Sequence, residues 1–366
     1  MSKQILFIVP YPEKHAPSQR FRVELYEQFL KERKITYTIA PFIDDKTWDI
    51  LYKGGSAFQK GLGIVKGYLK RWKTVLFDAP FYEYIFIHRE AAPLGPPVFE
   101  WLLAKVFRKK IIYDFDDAIW IPNTTKENNL VAWFKAFWKV KFICKWSYKV
   151  VGGNEFLCAF ARQFAQKVVL IPTCVDVVNA HNQTKTPKPH TIVIGWTGSH
   201  STLVYLDEII PVIEQLNQEF TFTFAVIANK NPQLALPNFQ FIPWQEITEV
   251  ADLLYFDIGI MPLTPDKWSE GKCGFKLIQY LALGIPAVAS PVGVNKEIIE
   301  HGKNGFLVTN HQEWLEALRL LLSDFELRKT MSMQGRNSIV ARYSIQSHQE
   351  TFLSLFTKGQ HPFQNL

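Results

Sequence analysis

The sequence predicts an α/β fold of two tandem Rossmann-like domains that face each other across a cleft. Short apolar strands alternate with helical segments along the chain, which is typical of βαβ units and parallel sheets. A polar segment with two prolines, residues 184–190, interrupts this alternation, which then restarts. A length of 366 residues is enough for two domains of ordinary size.

The first predicted domain covers residues 1–185. Its strands are ILFIV, ITYTIAPF, YEYIFIHRE, KKIIYDFDD, YKVVGGN and KVVLIPTCVD, and its helices cover residues 21–34 and a segment from Glu155. The first strand is too short an apolar run for a signal peptide. Ligands of such sheets bind at the carboxyl ends of the strands, so the cleft is the expected site.

The second predicted domain covers residues 186–345. Its strands are TIVIGW, FTFAVIA, FQFIPW, DIGIMPL, PAVAS and NGFLV. Its helices cover residues 202–216, 247–256, 275–283 and 311–335. A last helix, within residues 346–366, is expected to cross back and pack on the first domain.

Composition narrows the class of protein. The chain is 48% hydrophobic and 20% charged, which excludes a disordered chain. No apolar segment reaches the about 18 residues that a membrane span needs. Four cysteines without paired metal spacing are typical of reduced thiols. We therefore expect a cytoplasmic enzyme.

Positive charge is concentrated in the first half. Residues 1–180 hold 27 Lys and Arg against 17 Asp and Glu, whereas the remainder is slightly acidic. Two segments, residues 60–73 and 131–149, interleave lysines with aromatic side chains and favour peripheral contact with an anionic membrane, the inner face of the plasma membrane. The alternative is a packing helix with a lysine face. No motif supports nucleic-acid binding.

Two turns of the second domain have the composition of phosphate sites. In GWTGSHST, residues 195–202, Gly198, Ser199 and Ser201 offer close backbone approach and hydroxyls, although neither a Walker A loop nor GxGxxG is present. In GKCGFKLIQYLALGIPAVAS, residues 271–290, Lys272, Gly274 and Lys276 stand at the start of a helix. The alternatives are a Ser/Thr-capped turn and a solvated basic turn.

The second of these stretches resembles the family-4 type of GT-B glycosyltransferases. Those enzymes carry a pattern like E-x-x-G…L-L-E-A-M-A-x-G-x-P-V-V-A-S, and GVNKEIIEHGKNGFLV, residues 293–308, resembles the family's next segment. The resemblance covers most of residues 190–345. It implies retaining transfer of a sugar from a nucleotide-diphosphate sugar, without a metal ion or other cofactor, to a glycan or lipid-linked acceptor such as a surface-polysaccharide precursor.

The resemblance also implies roles for individual residues. Gln279 stands where the family has its second Glu, and Glu270 stands one residue early for the first. Gln279 would hydrogen-bond the ribose, Glu270 would contact the donor sugar, and Lys276 would bind the diphosphate in place of the family's missing Arg and Lys pair.

Five residues in the first domain are candidates for the acceptor side or for catalysis. His88 ends a strand, where the resemblance implies a hydrogen bond to sugar or acceptor, and its neighbours Arg89 and Glu90 are expected to form an ion pair. The remaining candidates follow the first and fourth strands: Arg20, Arg22, Asp116 and Asp117.

Three alternatives remain open. Asp114 and Asp116 form a D-x-D, the motif with which GT-A glycosyltransferases hold a divalent ion. An epimerase or a phosphorylase could use the same fold. Gln279 and the displaced Glu270 also fit a non-catalytic partner protein with a degenerate donor site.

Overall fold

The computed structural model describes residues 4–51, 55–122 and 135–357. The chain divides into two compact units, Met1–Pro172 with His348–Leu366 and Thr173–Ser347. Within the described residues each unit carries one six-stranded sheet, and every strand pair in both sheets is parallel. The predicted fold class of two tandem Rossmann-like units is confirmed.

The first sheet has the strand order β2-β1-β3-β4-β5-β6. Its strands are β1 (Gln4–Val9), β2 (Thr36–Pro41), β3 (Tyr84–His88), β4 (Lys110–Phe115), β5 (Lys149–Gly152) and β6 (Val168–Leu170). The helices of this part of the chain are α1 (Pro17–Arg20), α2 (Glu27–Glu32), α3 (Asp45–Leu51), α4 (Ala57–Lys73), α5 (Val98–Trp101), α6 (Lys139–Trp146) and α7 (Glu155–Arg162).

The expectation of one helix over residues 21–34 is wrong. The segment begins just after α1 and holds a 3-10 turn at Glu24–Tyr26 and the short helix α2. The break follows from Arg22, whose side chain is buried and paired with Asp114 of β4. Residues 123–134, which include part of the predicted basic segment 131–149, lie outside the described residues.

The second sheet has the strand order β12-β11-β10-β7-β8-β9. Its strands are β7 (Val193–Gly198), β8 (Thr223–Ala228), β9 (Phe239–Pro243), β10 (Ile258–Met261), β11 (Ala287–Ala289) and β12 (Gly305–Leu307). The helices that follow in the chain are α8 (Ile210–Leu216), α9 (Glu249–Leu253), α10 (Lys267–Glu270), α11 (Phe275–Ala282), α12 (Asn295–Ile298), α13 (His311–Ser323), α14 (Phe325–Arg342) and α15 (Ile345–Ser354).

The strand order places the crevice of each sheet. In the second sheet the chain proceeds from β7 toward β9 on one side and from β10 toward β12 on the other. In the first sheet the corresponding reversal lies between β1 and β3. Ligands of open α/β sheets bind where the order reverses, outside the carboxyl ends of the two strands. Ligands are therefore expected at the loops after β7 and β10 in the second unit and after β1 and β3 in the first.

The polar segment 184–190 belongs to the second unit. The Lys185 ammonium pairs with Asp257 at 3.1 Å and donates to the Leu254 carbonyl at 2.9 Å. Arg328 of α14 donates to the Lys188 carbonyl at 2.8 Å. The prolines therefore shape a segment that is bound to its own unit, and the division between the units falls earlier, after Pro172.

The end of the chain packs within the first unit. The Phe352 ring stacks on Tyr26 with centroids 3.8 Å apart, and Phe356 meets Phe7 edge-on at 6.5 Å. Arg33 pairs with Glu350. The described helices include none that is long and apolar enough to cross a membrane. All four cysteines are buried.

Candidate functional site

The turn after β7 passes close to a buried tryptophan. Trp196 is fully buried, and a Cβ atom at Gly198 would lie 2.4 Å from its ring. Only glycine therefore allows the backbone to cross the indole here. Beyond Gly198, the exposed Ser199 and Ser201 have their hydroxyl oxygens 2.8 Å apart. The turn thus places backbone groups and two hydroxyls next to the Trp196 ring.

The element that follows this turn differs from the predicted helix over residues 202–216. It is a 3-10 helix at His200–Glu208, and α8 begins only after it, with Pro211 in its first turn. The His200 amide donates to Asn229 Oδ1 at 2.7 Å. One backbone amide at the start of this element is therefore already bound within the second unit.

The turn before α11 depends on Gly274. This residue is the N-cap, has φ +66°, and contributes no side-chain cap. A Cβ atom at Gly274 would lie 2.3 Å from the Ile298 side chain, so both conformation and space require glycine. The helix then begins at Phe275, as predicted, and brings Lys276 into its first turn.

The structure brings the two turns together. The Lys276 ammonium lies 5.0 Å from the centroid of the Trp196 ring, the ring that Gly198 crosses. The Tyr280 hydroxyl accepts a hydrogen bond from the Thr197 amide at 2.9 Å. Burial raises the pKa of Tyr280, so its hydroxyl stays neutral. Lys276 and the Gly198 turn therefore share one location at the order reversal of the second sheet.

Three further predicted residues lie on the same elements. Glu270 ends α10 and is half-buried, and Ser269 beside it lies 3.2 Å from the Tyr205 hydroxyl. The Lys272 ammonium lies over the Trp268 ring at 5.6 Å. Gln279 is 2% exposed, and its amide nitrogen has no hydrogen-bond partner within the described residues. A buried donor of this kind costs about 1–3 kcal/mol until something accepts its hydrogen bond.

His88 belongs to a buried ionic cluster at the carboxyl end of β3. Its Nδ1 lies 2.7 Å from Asp114 Oδ2, and its side chain is fully buried. Arg22 reaches the same carboxylate, with Nε 3.2 Å and 3.3 Å from the two oxygens, and also donates to the Ile171 carbonyl. His88 Nε2 has no partner in the part of the chain that the structure describes. Asp114 and Arg22 thus fix the orientation of His88.

Asp116 and Asp117 are both held by Arg89. The Arg89 guanidinium pairs with Asp116 at 2.8 Å and with Asp117 at 2.6 Å. Burial alone would raise the pKa of Asp116, but Arg89 and, more weakly, His88 and Arg22 lower it to about 2. The expected pairing of Arg89 with Glu90 is wrong, because Glu90 pairs with Lys139 at 2.8 Å. Arg20 lies over the Phe21 ring at 5.1 Å.

Each of the two carboxylates of the D-x-D thus already binds an arginine of the protein. Asp114 is bound by Arg22 and His88, and Asp116 by Arg89. Across the described ranges there is no group of three or more His, Cys, Asp or Glu side chains that could hold a metal ion. This arrangement disfavours the alternative that uses the D-x-D as a metal motif.

Sequence reasoning missed two of the residues that join the predicted ones, Trp196 and Tyr280, and considered Asp114 only as part of the D-x-D. Trp196, Tyr280 and Asp114 make the decisive contacts, and each reaches a partner distant in sequence. The sequence could have pointed to these three residues only through their positions next to predicted site elements. Trp196 precedes the Gly198 turn, Tyr280 follows Gln279, and Asp114 ends the strand next to β3.

The second unit matches a known protein family in sequence. Residues 191–324 match the family model described as "Glycosyl transferases group 1". Both turns lie within this match. "Spore coat protein SA" of Bacillus subtilis (strain 168) is 31% identical over 83 residues, which are 22% of this chain and 22% of that protein. The chain therefore aligns with about a fifth of the length of this curated relative.

Solved structures are similar over nearly the whole chain. Sucrose-phosphate synthase from Thermosynechococcus elongatus is 12% identical, with a TM-score of 0.69 and coverage of 97% of this chain and 98% of that one. HepE of Anabaena in complex with UDP is 16% identical, with a TM-score of 0.65 and coverage of 96% and 99%. A glycosyltransferase from Rickettsia africae ESF-5 is 15% identical, with a TM-score of 0.67 and coverage of 97% and 98%. At these identities the likeness establishes a shared fold, the GT-B fold.

Proposed function

We propose that this chain is a retaining, metal-independent glycosyltransferase of the family-4 type, which moves a sugar from a nucleotide-diphosphate sugar to an acceptor. One observation carries the proposal. Lys276 and the Gly198 turn meet at Trp196, at the order reversal of the second sheet and within the segment that matches glycosyl transferases group 1. Such a crevice is where an open α/β sheet binds a nucleotide.

The chemistry of this location suits a diphosphate. Negative charge develops on the leaving nucleotide diphosphate as the glycosidic bond breaks, and fixed cations and hydrogen-bond donors stabilise that charge. We assign this role to Lys276, with Lys272 near it and with Ser199, Ser201 and the backbone at Gly198 and Gly274 as donors. In a retaining transfer of this kind the leaving diphosphate assists the attack of the acceptor on the same face, and the nucleotide sugar is the donor without a further cofactor.

The ribose and the donor sugar are assigned to the neighbouring side chains. Gln279 has an unpartnered, buried amide nitrogen, which a ribose hydroxyl would satisfy as acceptor. Glu270 precedes the Lys272 turn and would accept hydrogen bonds from the sugar. Both roles follow the positions of these residues in the family pattern, and the burial of Gln279 adds independent support.

We assign the acceptor side to the first unit. His88 is the group whose orientation is fixed, and its Nε2 is the atom left to contact a sugar or acceptor hydroxyl. Arg22 acts on this side through Asp114, which it binds. We assign the remaining candidates to contacts with the acceptor: Arg20, Asp116 and Asp117. We propose that the acceptor is a lipid-linked or cell-surface polysaccharide precursor. We also propose that the transfer takes place in the cytoplasm.

The first test is a thermal-shift screen with UDP, GDP, ADP, CMP and their sugar conjugates, first in EDTA and then with Mn²⁺. A ligand that binds the native state raises its stability by mass action. Stabilisation by one diphosphate in EDTA is the expected result. Stabilisation that requires Mn²⁺ would contradict the metal-independent mechanism. Binding without sugar transfer or donor hydrolysis would favour the non-catalytic alternative.

The sharper test is Lys276→Ala. Because charged hydrogen bonds contribute about 1.5–3 kcal/mol, we expect the affinity for the stabilising nucleotide diphosphate to fall by about tenfold or more, measured by isothermal titration calorimetry. The matched control is Lys296→Ala, an exposed lysine on α12 of the same unit. Equal affinities of a folded Lys276→Ala protein and the wild type would remove Lys276 from the site.

A further inference from the structure

The outer face of α4 carries a continuous row of exposed apolar side chains. They recur at spacings of four and three residues, so they lie on one face of the helix and of the π-helical turn at Thr74–Asp78 that continues it. Their exposed fractions run from 39% to 78%. We call this row the apolar stripe: Phe58, Leu62, Val65, Leu69, Trp72 and Leu76.

The opposite face of α4 is already packed. A Cβ atom at Gly63 would collide with Thr47, and one at Gly67 with the Phe42 ring, both within 2.6 Å. Arg71 is buried and donates to the carbonyls of Ala91, Ala40 and Val9 at 2.8–3.0 Å. These contacts fix the rotation of the helix about its axis, so the stripe is held outward.

The exposed apolar surface extends beyond α4. The Trp72 ring meets Phe99 of α5 at 4.9 Å, and on the α5 side Val98, Trp101 and Val106 are again 40–52% exposed. Phe77 and Phe81 continue the surface beyond the end of α4, with 67% and 77% exposure. Apolar patches of this breadth on a soluble chain mark a place of interaction.

The positive charges on α4 and α6 beside the apolar stripe indicate which kind of partner this surface binds. Neither α4 nor α6, which packs against α5, contains an acidic residue. Arg71 and Lys139 are buried and Lys66 pairs with Asp44 at 2.6 Å, so the positive charge of this face comes from the remaining lysines of the two helices: Lys60, Lys70, Lys73, Lys141 and Lys145. Two copies of such a face would bring like charges together, which opposes self-association. Anionic phospholipids would instead match the lysines.

We propose that the apolar stripe and its flanking lysines lie in the surface of an anionic bilayer. An amphipathic helix of this type buries its apolar face about 5–10 Å into the headgroup boundary while lysines meet the lipid phosphates. At 1.5 Å per residue, α4 extends about 25 Å along the surface. Trp72 and Trp101 lie at this face, as aromatic side chains do at membrane interfaces.

The structure also determines which lysines take part. Lys139 cannot, although the sequence places it in the basic segment, because it is 3% exposed and bound to Glu90 and the Ala92 carbonyl. Lys73 and Lys145 are exposed at the ends of α4 and α6. This membrane proposal stands apart from the sugar-transfer proposal, since it uses neither turn of the second unit.

The test is flotation of the full chain with vesicles of phosphatidylcholine containing about a third phosphatidylglycerol, and with phosphatidylcholine alone. We expect binding to the anionic vesicles. The variant Phe58→Ser, Leu62→Ser, Leu69→Ser should lower partitioning by about 100-fold, because three apolar side chains no longer enter the interface. The matched control is Val178→Ser, Ile247→Ser, Met333→Ser, three exposed apolar residues of the second unit, which should bind like the wild type.

A second pair of variants tests the charge. Lys73→Gln with Lys145→Gln should lower partitioning about fivefold per lysine at low salt and less at high salt, whereas Lys230→Gln with Lys296→Gln should not. UDP binding is measured on the same samples, so its failure would count against the donor site alone. The membrane proposal is overturned if the wild type does not float, if the stripe variant floats equally well, or if the stripe variant only converts a dimer to a monomer.

Discussion

Asp114 shows how a single carboxylate organises the candidate residues of the first unit. It accepts from both Arg22 and His88, so one charge fixes two side chains that arrive from distant parts of the chain. Breaking a buried ion pair by removing one partner costs about 3–5 kcal/mol, which makes Asp114 a structural requirement as well as a positioning residue. His88 Nδ1 is therefore held by Asp114, whereas His88 Nε2 has no hydrogen-bond partner within the described residues.

Asp116 gives a prediction of pH dependence. Its pKa in the folded protein is about 2, below the ordinary value of 3.8, because burial, which would raise the pKa, is outweighed by Arg89 together with His88 and Arg22. A lowered pKa contributes stability that is complete above about pH 4 and is lost as the pH falls toward about 2, with a magnitude of about 2 kcal/mol. Asp116→Asn should therefore reduce the free energy of unfolding at neutral pH and flatten its decline in acid.

Urea unfolding across this pH range measures both effects. The control is Asp207→Asn, an exposed carboxylate of the second unit, which should keep the acid dependence of the wild type. An Asp116→Asn protein with unchanged stability at neutral pH and an unchanged acid limb would show that the pairing with Arg89 contributes nothing.

At the scale of elements, α11 is tied to β7 by one hydrogen bond from the Thr197 amide to the Tyr280 hydroxyl. Tyr280→Phe keeps the ring, against which Gly259 packs, but leaves a buried amide without its acceptor. We expect a loss of about 1–3 kcal/mol in the free energy of unfolding. We also expect weaker nucleotide binding, because the Gly198 turn follows Thr197 directly.

Chemical unfolding and nucleotide titration of the same variant test this link. Tyr255→Phe is the control, since its exposed hydroxyl pairs with Gln240 at 2.7 Å away from both turns. If Tyr280→Phe bound the nucleotide as the wild type does, the hydrogen bond would be irrelevant to the site.

The elements also show the limits of local patterns. Strands were predictable because each is a short apolar run bounded by polar or turn residues, as in β1 and β8. The helix predicted over residues 21–34 was not, because Arg22 turns inward to Asp114. The 3-10 helix at His200–Glu208 was missed as well, since periodicity alone cannot distinguish it from an α-helix.

For the whole molecule, the central fact is that each unit has its own sheet and core. The core of the second unit is built from residues between Ile192 and Met331, around Trp196. Units with separate cores unfold as separate cooperative transitions. We therefore expect two transitions in denaturant. The nucleotide diphosphate should shift only that of the second unit, by about 2.7 kcal/mol at 100 times its Kd.

Circular dichroism follows both transitions, and the one that moves when the nucleotide diphosphate is added is assigned to the second unit. Apo protein without nucleotide is the reference. Joint movement of the two transitions on adding nucleotide would show that binding stabilises both units together, contrary to this expectation.

The sequence by itself determined the alternation of strands and helices, the glycine at the start of α11 and the concentration of positive charge in the first half, because these depend on local composition and spacing. The tertiary structure alone decided that Lys276 meets Trp196, that Arg22 and His88 share Asp114, and that the apolar stripe of α4 faces outward. The physical reason is that strand order and the rotation of each helix are set by contacts between residues far apart in sequence, and these contacts choose which side chains become partners.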